Sequence, residues 1–368
     1  MFVPFVPANG SAGAFSFRGI YRNYRKCRRN KRNSTNALRF EINAESNIIK
    51  LEQQLNKKTY RPSRCILFTA QKPKVREIFA SEFKDRVVHH ILIEHLKSIW
   101  ERIFIFDSYA CRDGKGTHKA VVRLQAAMRS ISKNGNVRAY YLQLDVKDFF
   151  ISINKKILFE LVAPKIKDSG MRWLGEVIIF SDPTANYVHC GEPALHAQIP
   201  LNKTIFGKNN ERGLPIGKLT SQYFANIYLN ELDQFVKHTL KAKHYFRYVD
   251  DFVILGKDPH QLKEFQDRIE IFLMDRLKLQ LHPKRRKLLP ITSGVDFLGY
   301  IVRQNYILVR RRVINNLRSK IKEFNASEEK DTSALQATVA SYMGHFKWAN
   351  TYRLIKKVNQ MINEKERR

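Results

Sequence analysis

The chain has 368 residues, enough for a sizeable core spread over two or three subdomains, and it sets 66 Lys and Arg against 34 Asp and Glu for a formal net charge of +32. So large an excess of base points to a polyanionic partner. A membrane is the other polyanion, but no apolar run approaches a spanning helix and no basic amphipathic tail dominates, so no membrane association is expected.

The opening Met1–Ser11 is apolar, short and broken by prolines. It lacks a basic leader and is not read as a signal peptide. Residues 17–33 are dense in arginine, with Tyr21 and Tyr24 interleaved. The plain reading is a solvated charged face; the interleaving favours phosphate contact with stacking on unpaired RNA bases. Ile48, Leu51 and Leu55 repeat at helical spacing within 44–57. Residues 68–80 alternate like a hairpin from which Lys72, Lys74 and Arg76 project, and Ser81 is placed to cap the next helix. That helix buries Val87, Val88, Ile91, Leu92, Leu96 and Trp100, with His89 and His90 as structural residues.

In 107–118, Gly114 and Gly116 flank Lys115, and Thr117 is placed to cap a helix carrying Ala120, Val121, Leu124 and Met128. A glycine-rich entry to a helix is an anion site in principle, but this one matches neither a P-loop nor a dinucleotide fingerprint. Residues 140–151 read as a strand that ends in Asp145, with Asp148 beyond it. Residues 165–211 are loop-rich and carry no assigned chemistry. Gly213, Pro215 and Gly217 bend a loop into a helix bearing Leu219, Phe224, Ile227, Tyr228, Leu232 and Phe235, with Thr220 and Ser221 in its first turn.

The stretch 245–255 organises the chemistry. Asp250 and Asp251 interrupt two short apolar runs rich in aromatic and β-branched residues, so they fall at the tip of a hairpin. On a regular strand adjacent acids point to opposite faces, whereas a turn brings them toward one edge. Crowded carboxylates raise each other's pKa unless a cation neutralises them, and oxygen donors of this kind suit Mg²⁺. With Asp145 from a neighbouring strand they make a three-carboxylate cluster able to hold two ions about 3.5–4 Å apart. An isolated acidic pair would be a solvated turn; the flanking Phe246, Tyr248, Phe252, Val253, Ile254 and Leu255 argue for burial instead. Farther on, Pro259 opens a helix, 282–287 is a basic turn, Val295–Val302 is β-prone, and 310–324 and 333–363 are basic helices. Cys27, Cys65, Cys111 and Cys190 are far apart without metal spacing, which fits free thiols in a reducing cytoplasm.

Asp145 with Phe150, and Tyr248-Val-Asp-Asp251, resemble the palm motifs of reverse transcriptases, and the likeness covers roughly residues 35–355. It implies an α+β right-hand polymerase: a basic N-terminal extension over 1–34, fingers over 35–135, a palm with an antiparallel sheet backed by helices over 136–303, and a helical thumb over 304–368. It further implies that Asp145, Asp250 and Asp251, with the Val146 carbonyl, hold two Mg²⁺ ions, for which Mn²⁺ can substitute. Lys74, Arg76, Asp148, Phe149, Phe150, Ile216 and Gly217 would meet the dNTP, Phe150 as the gate against a ribose 2′-hydroxyl. Arg112, Lys115, Ser221, Gln222, Tyr248, Gly299, Arg310, Arg311 and Lys347 would meet template RNA and the RNA/cDNA duplex. A basic residue within 284–287 would approach the triphosphate, with the register left open.

Where most reverse transcriptases carry Gln-Gly, this chain has Ile216-Gly217. The string Gly213–Gln222 is similar to that of diversity-generating retroelements, as are Asp107–His118 and Gly344–Arg353. That group copies a template RNA with errors at adenines and works with a small basic multimeric accessory protein. A retron-like or defence-associated enzyme, and an RNA-binding maturase-like protein that no longer polymerises, stay open beside it.

Overall fold

The computed structural model describes residues 15–29, 31–71, 74–208, 210–327 and 331–363. The expectations for Met1–Ser11 and for Lys72 fall outside these residues. The chain is α+β, as expected. Its described strands are β1 (Cys65–Ala70), β2 (Arg76–Ser81), β3 (Tyr140–Val146), β4 (Tyr187–His189), β5 (His244–Tyr248), β6 (Asp251–Gly256), β7 (Leu281–Pro290), β8 (Val295–Phe297), β9 (Tyr300–Val302) and β10 (Ile307–Val309). No helix among the described residues is long and apolar enough to cross a membrane.

Two compact units result. One comprises residues 1–105, 146–234 and 270–282; the other comprises 106–145, 235–269 and 283–368.

In the first unit, β1 and β2 form the expected hairpin, with Cys65 opposite Ser81 and Ala70 opposite Arg76. The helix Ala44–Asn56 buries Ile48, Leu51 and Leu55. The basic run 17–28 is a helix whose inner face is not basic at all. Tyr24 lies in it, with ring centroids 5.7 Å from Phe40 and 6.1 Å from Phe83, so of the two tyrosines only Tyr21 stays exposed for stacking. Ser81 ends β2 and does not cap; Glu82 is the residue before the helix Phe83–Trp100 and makes no side-chain capping bond. The stretch 165–211 is more ordered than its composition suggests. Met171, Leu174, Ile178 and Ile179 form the buried face of a helix over Ser169–Ile179, opened by the Asp168 carboxylate accepting from the Met171 amide at 2.6 Å. After it, β4 pairs in parallel with β1.

In the second unit, a four-stranded sheet runs β5-β6-β3-β7. Tyr141, Phe246, Val253 and Leu255 pack with Leu124 and Met128 of the helix Thr117–Ile131, and the same core takes Val295, Phe297, Tyr300 and Val302 of the small sheet β10-β9-β8. Three expectations change here. Residues 282–287 are not a turn but part of β7, the outer strand, where a proline costs no ladder bond and charged side chains guard the edge. The β-prone stretch 295–302 forms strands as expected, the hairpin of β8 and β9. The last helical stretch breaks at 347–351 into Thr332–Phe346 and Tyr352–Asn363. Thr117 is the first helical residue after Gly116 and its hydroxyl donates to Tyr248 Oη at 3.4 Å, so it does not cap.

Candidate active site

The backbone of the second unit brings the three acids next to one another. Asp145 lies directly opposite Asp251 in the β3–β6 ladder. Asp250 belongs to the two-residue connection from Tyr248 to Asp251, which is a tight hairpin as expected. Val249 in that connection has φ 54°, a left-handed conformation that a β-branched residue adopts only under constraint, and such strain collects at functional turns.

Arg247 supplies the constraint. Its guanidinium is fully buried, donating to the Val249 carbonyl at 3.1 Å and to Ser108 Oγ at 3.2 Å. Its own amide donates to Asp107 O, and its carbonyl accepts from the Tyr109 amide, both at 3.0 Å. The sequence reading passed over this residue. The available signal was a charge three residues before the acidic pair, inside an otherwise apolar strand.

Gln143 is a second residue the reading missed. Its amide nitrogen donates to Asp251 Oδ1 at 3.1 Å and to the Asp296 carbonyl at 3.0 Å. It sits two positions before Asp145 and so on the same face of β3, which is how alternation could have flagged it.

The electrostatics are those of crowded acids. Burial pushes Asp251 up to about 7; the Gln143 hydrogen bond opposes this, while Asp145, Asp250 and Asp296 add to it. Arg285, from β7, is ion-paired with Asp145. Among the described residues no group of three or more His, Cys, Asp or Glu side chains is arranged to hold a metal ion. The donors themselves are nonetheless the kind a hard divalent ion takes, and the guanidinium on Asp145 stands where positive charge is wanted.

Other residues expected to meet nucleic acid in this unit are held by local partners or lie open. Arg112 donates to the Ser108 carbonyl at 3.0 Å, and the Lys115 ammonium donates to the Phe106 carbonyl while lying 3.4 Å over that ring. Arg310 donates through Nε to Asp296 at 2.7 Å, whereas Arg311 and Lys347 are exposed. Gly299 has φ 91°, and a Cβ there would stand 3.3 Å from His345 Cε1, so the β8–β9 turn packs tightly on the helix Thr332–Phe346. His345 stacks on Tyr300 at 4.2 Å, and His118 stacks on the exposed Trp348 at 4.9 Å.

In the first unit the residues expected to meet a nucleotide come from two clusters. At β2, the Phe79 amide donates to the Ile216 carbonyl at 2.8 Å. Gly217, at φ 111°, approaches so closely that a Cβ would lie 2.8 Å from Ile78 Cγ2 and 2.9 Å from the Phe79 carbonyl. The Ile216 side chain is half-buried, and Lys74 and Arg76 are exposed at the hairpin end. Beyond β3, Asp148 is left-handed at φ 46° and its carboxylate accepts from Asn202 Nδ2 at 3.1 Å. Phe149 is core at 2% exposure, while Phe150 is half-buried and its carbonyl accepts from the Leu214 amide at 2.8 Å. Ser221 is buried and Gln222 is exposed. Between these clusters Glu77, 3% exposed, accepts from Thr204 Oγ1 at 2.7 Å and from the Ile205 amide.

Residues 56–302 match the family described as reverse transcriptase (RNA-dependent DNA polymerase). The chain is 23% identical to protein YkfC of Escherichia coli, over 72% of this chain and 74% of that one. It is 22% identical to the group II intron-encoded protein LtrA of Lactococcus lactis, over 79% of this chain and 58% of LtrA. Among solved structures, apo telomerase from Candida tropicalis aligns with a TM-score of 0.48 at 12% identity, covering 70% of this chain and 58% of that one. The chain thus spans less than two thirds of LtrA and of the telomerase. With two thirds of its length matched to that family, this chain belongs to the reverse transcriptases, the RNA-dependent DNA polymerases.

Proposed function

We propose that this chain copies a template RNA into cDNA by nucleotidyl transfer, and does so with low fidelity at template adenines in a diversity-generating retroelement. The observation that carries the polymerase reading is the pairing of Asp145 with Asp251 across β3 and β6, with Asp250 in the adjoining turn. Asp145, Asp250 and Asp251 would hold Mg²⁺, which when bound activates the attacking 3′-oxygen and stabilises the leaving one. The chain's own part is positioning. Gln143 orients Asp251, and Arg247 fixes the turn that presents Asp250. Template RNA, dNTPs and an accessory protein are the partners of this reading, with Phe150 excluding a 2′-hydroxyl.

The retroelement reading rests on Ile216. Glutamine at this point offers an amide that restrains nucleotide geometry; isoleucine offers only shape and dispersion. Purified chain should extend an annealed primer on RNA with dNTPs and Mg²⁺, and Asp250→Asn should abolish extension. Salt-sensitive RNA binding without any incorporation would establish the maturase-like reading instead. Error spectra of wild type and Ile216→Gln then test the finer reading. Errors at template adenines should fall in the variant, and an unchanged spectrum removes the ground for the retroelement assignment in favour of a retron-like or defence-associated enzyme.

A further inference from the structure

We infer that Lys218 is a positioning residue of the polymerase: its buried ammonium anchors the loop that presents Ile216, and so sets how firmly an incoming dNTP is held and checked. The inference rests on the polymerase reading and adds a residue to it. The loop spans 213–218 and runs straight into the helix Leu219–Gln234. A lysine at the end of a bent glycine loop is ordinarily solvated, because its charge is costly to bury unless paired. Lys218 is 6% exposed.

Its neighbours account for the burial. The ammonium donates to the Cys65 side chain at the start of β1, where burial raises the thiol and the Lys218 charge pulls it back. The same charge reaches two buried side chains on the helix Phe83–Trp100. Burial pushes the Asp85 carboxyl up, against hydrogen bonds from Tyr60 Oη at 2.7 Å and the Ser63 amide at 3.0 Å and against the charges of Lys84 and Lys218. Burial also holds His89 well below its usual range, and Lys218 acts in the same direction, so that imidazole stays neutral.

Residues 216–218 are therefore fastened in three ways. The Ile216 carbonyl accepts from the Phe79 amide at 2.8 Å, and Gly217 lies against Ile78 and the Phe79 carbonyl. Both of these hold the loop to β2 alone. Lys218 adds a hold on β1 and an attraction to Asp85, through a charged donor in a dry place, where such a bond is stronger than in water. An apolar residue of equal length would fill the space without that direction. Ile216 acts by shape, so its grip on a base pair depends on where the loop holds it.

Two variants separate positioning from mere support of the fold. Lys218→Met leaves Asp85 buried without one of its cations, so the melting temperature should fall by about 10 °C. The double variant Lys218→Met/Asp85→Asn removes both charges and should regain most of that loss, because neither member of the pair is left uncompensated. Its dNTP KM should nonetheless stay about tenfold above wild type, with kcat within about threefold. Its misincorporation should rise at all four template bases. Amide hydrogen exchange, measured without dNTP or metal, should be faster across 213–219 in both variants. Lys84→Gln removes the other cation that favours ionised Asp85, and it should leave KM and exchange unchanged.

A double variant whose KM and errors return to wild type along with its stability would overturn the inference, since Lys218 would then only support the fold. Unchanged exchange in both variants, or an equal rise of KM in Lys84→Gln, would overturn it as well. If the wild-type chain extends no primer, faster exchange across 213–219 keeps the anchor and overturns only the polymerase reading on which its use depends.

Discussion

Glu77 joins the β1–β2 hairpin to the 165–211 stretch, and cutting that joint has a calculable cost. The carboxylate is 3% exposed, its Oε2 accepts from Thr204 Oγ1 at 2.7 Å, its Oε1 accepts from the Ile205 amide, and His196 Nε2 lies 3.5 Å away. Thr204→Val keeps the shape, deletes that donor and also removes the hydroxyl that accepts from the Phe206 amide at 3.2 Å. A hydrogen bond to a buried charge is worth about 1.5–3 kcal/mol, so the variant should lose about 2 kcal/mol. Glu77→Gln keeps an acceptor for Ile205 and can donate to Thr204, so about 1 kcal/mol is expected. Glu77→Ala strands both donors and should cost about 3–4 kcal/mol. Urea unfolding followed by circular dichroism reads the order Gln, Val, Ala. Because Arg76 precedes Glu77 and Ile78 packs against the Gly217 position, the dNTP KM should rise severalfold in Thr204→Val with kcat retained. A Thr204→Val protein within about 0.5 kcal/mol of wild type, or Glu77→Ala as stable as Glu77→Gln, would refute the anchoring role.

Arg247→Met should remove most primer extension while leaving RNA affinity intact, because it frees the Val249 carbonyl and relaxes the turn; a variant with wild-type kcat would show that the turn holds itself. Asp251 has its carboxyl raised from 3.8 to about 7, so the folded metal-free chain keeps a proton that the unfolded chain releases. Its contribution to stability is therefore complete below pH 3.8, declines as pH rises to about 7 and is gone above that. The decline amounts to at most about 4 kcal/mol, reduced because water still reaches the group. Melting curves of Asp251→Asn should lack this pH-dependent decline and should lose the shift that Mg²⁺ gives wild type. Gly217→Ala forces a Cβ within 3 Å of Ile78 and the Phe79 carbonyl at a positive φ, so it should cost about 2–3 kcal/mol and raise the dNTP KM; a neutral result by thermal melting and steady-state kinetics would remove the close-approach argument.

Local pattern went far in this chain where an element carries its own signal. The acidic hairpin shows two short apolar runs around a turn, the β1–β2 hairpin alternates, and the helices over 44–56 and 83–100 show a 3.6-residue repeat, and each forms where that pattern stands. Pattern failed where the deciding contacts are distant in sequence. The basic 282–287 run looked like a turn because proline and charge are turn signals; as the outer strand of a sheet the same residues meet no penalty.

Sequence by itself determined the family and the order of its motifs, because those are covalent facts of spacing and side-chain type. Only the tertiary structure decided which groups hold Asp145, Asp250 and Asp251 in place. Arg247 grips the turn from beside Ser108, 139 residues away, and Gln143 reaches Asp251 across 108 residues. Arg285 pairs with Asp145 over 140 residues, and Glu77 is satisfied by Thr204 over 127. A buried polar group must find its partner wherever the chain brings one, and no local pattern encodes a partner that remote.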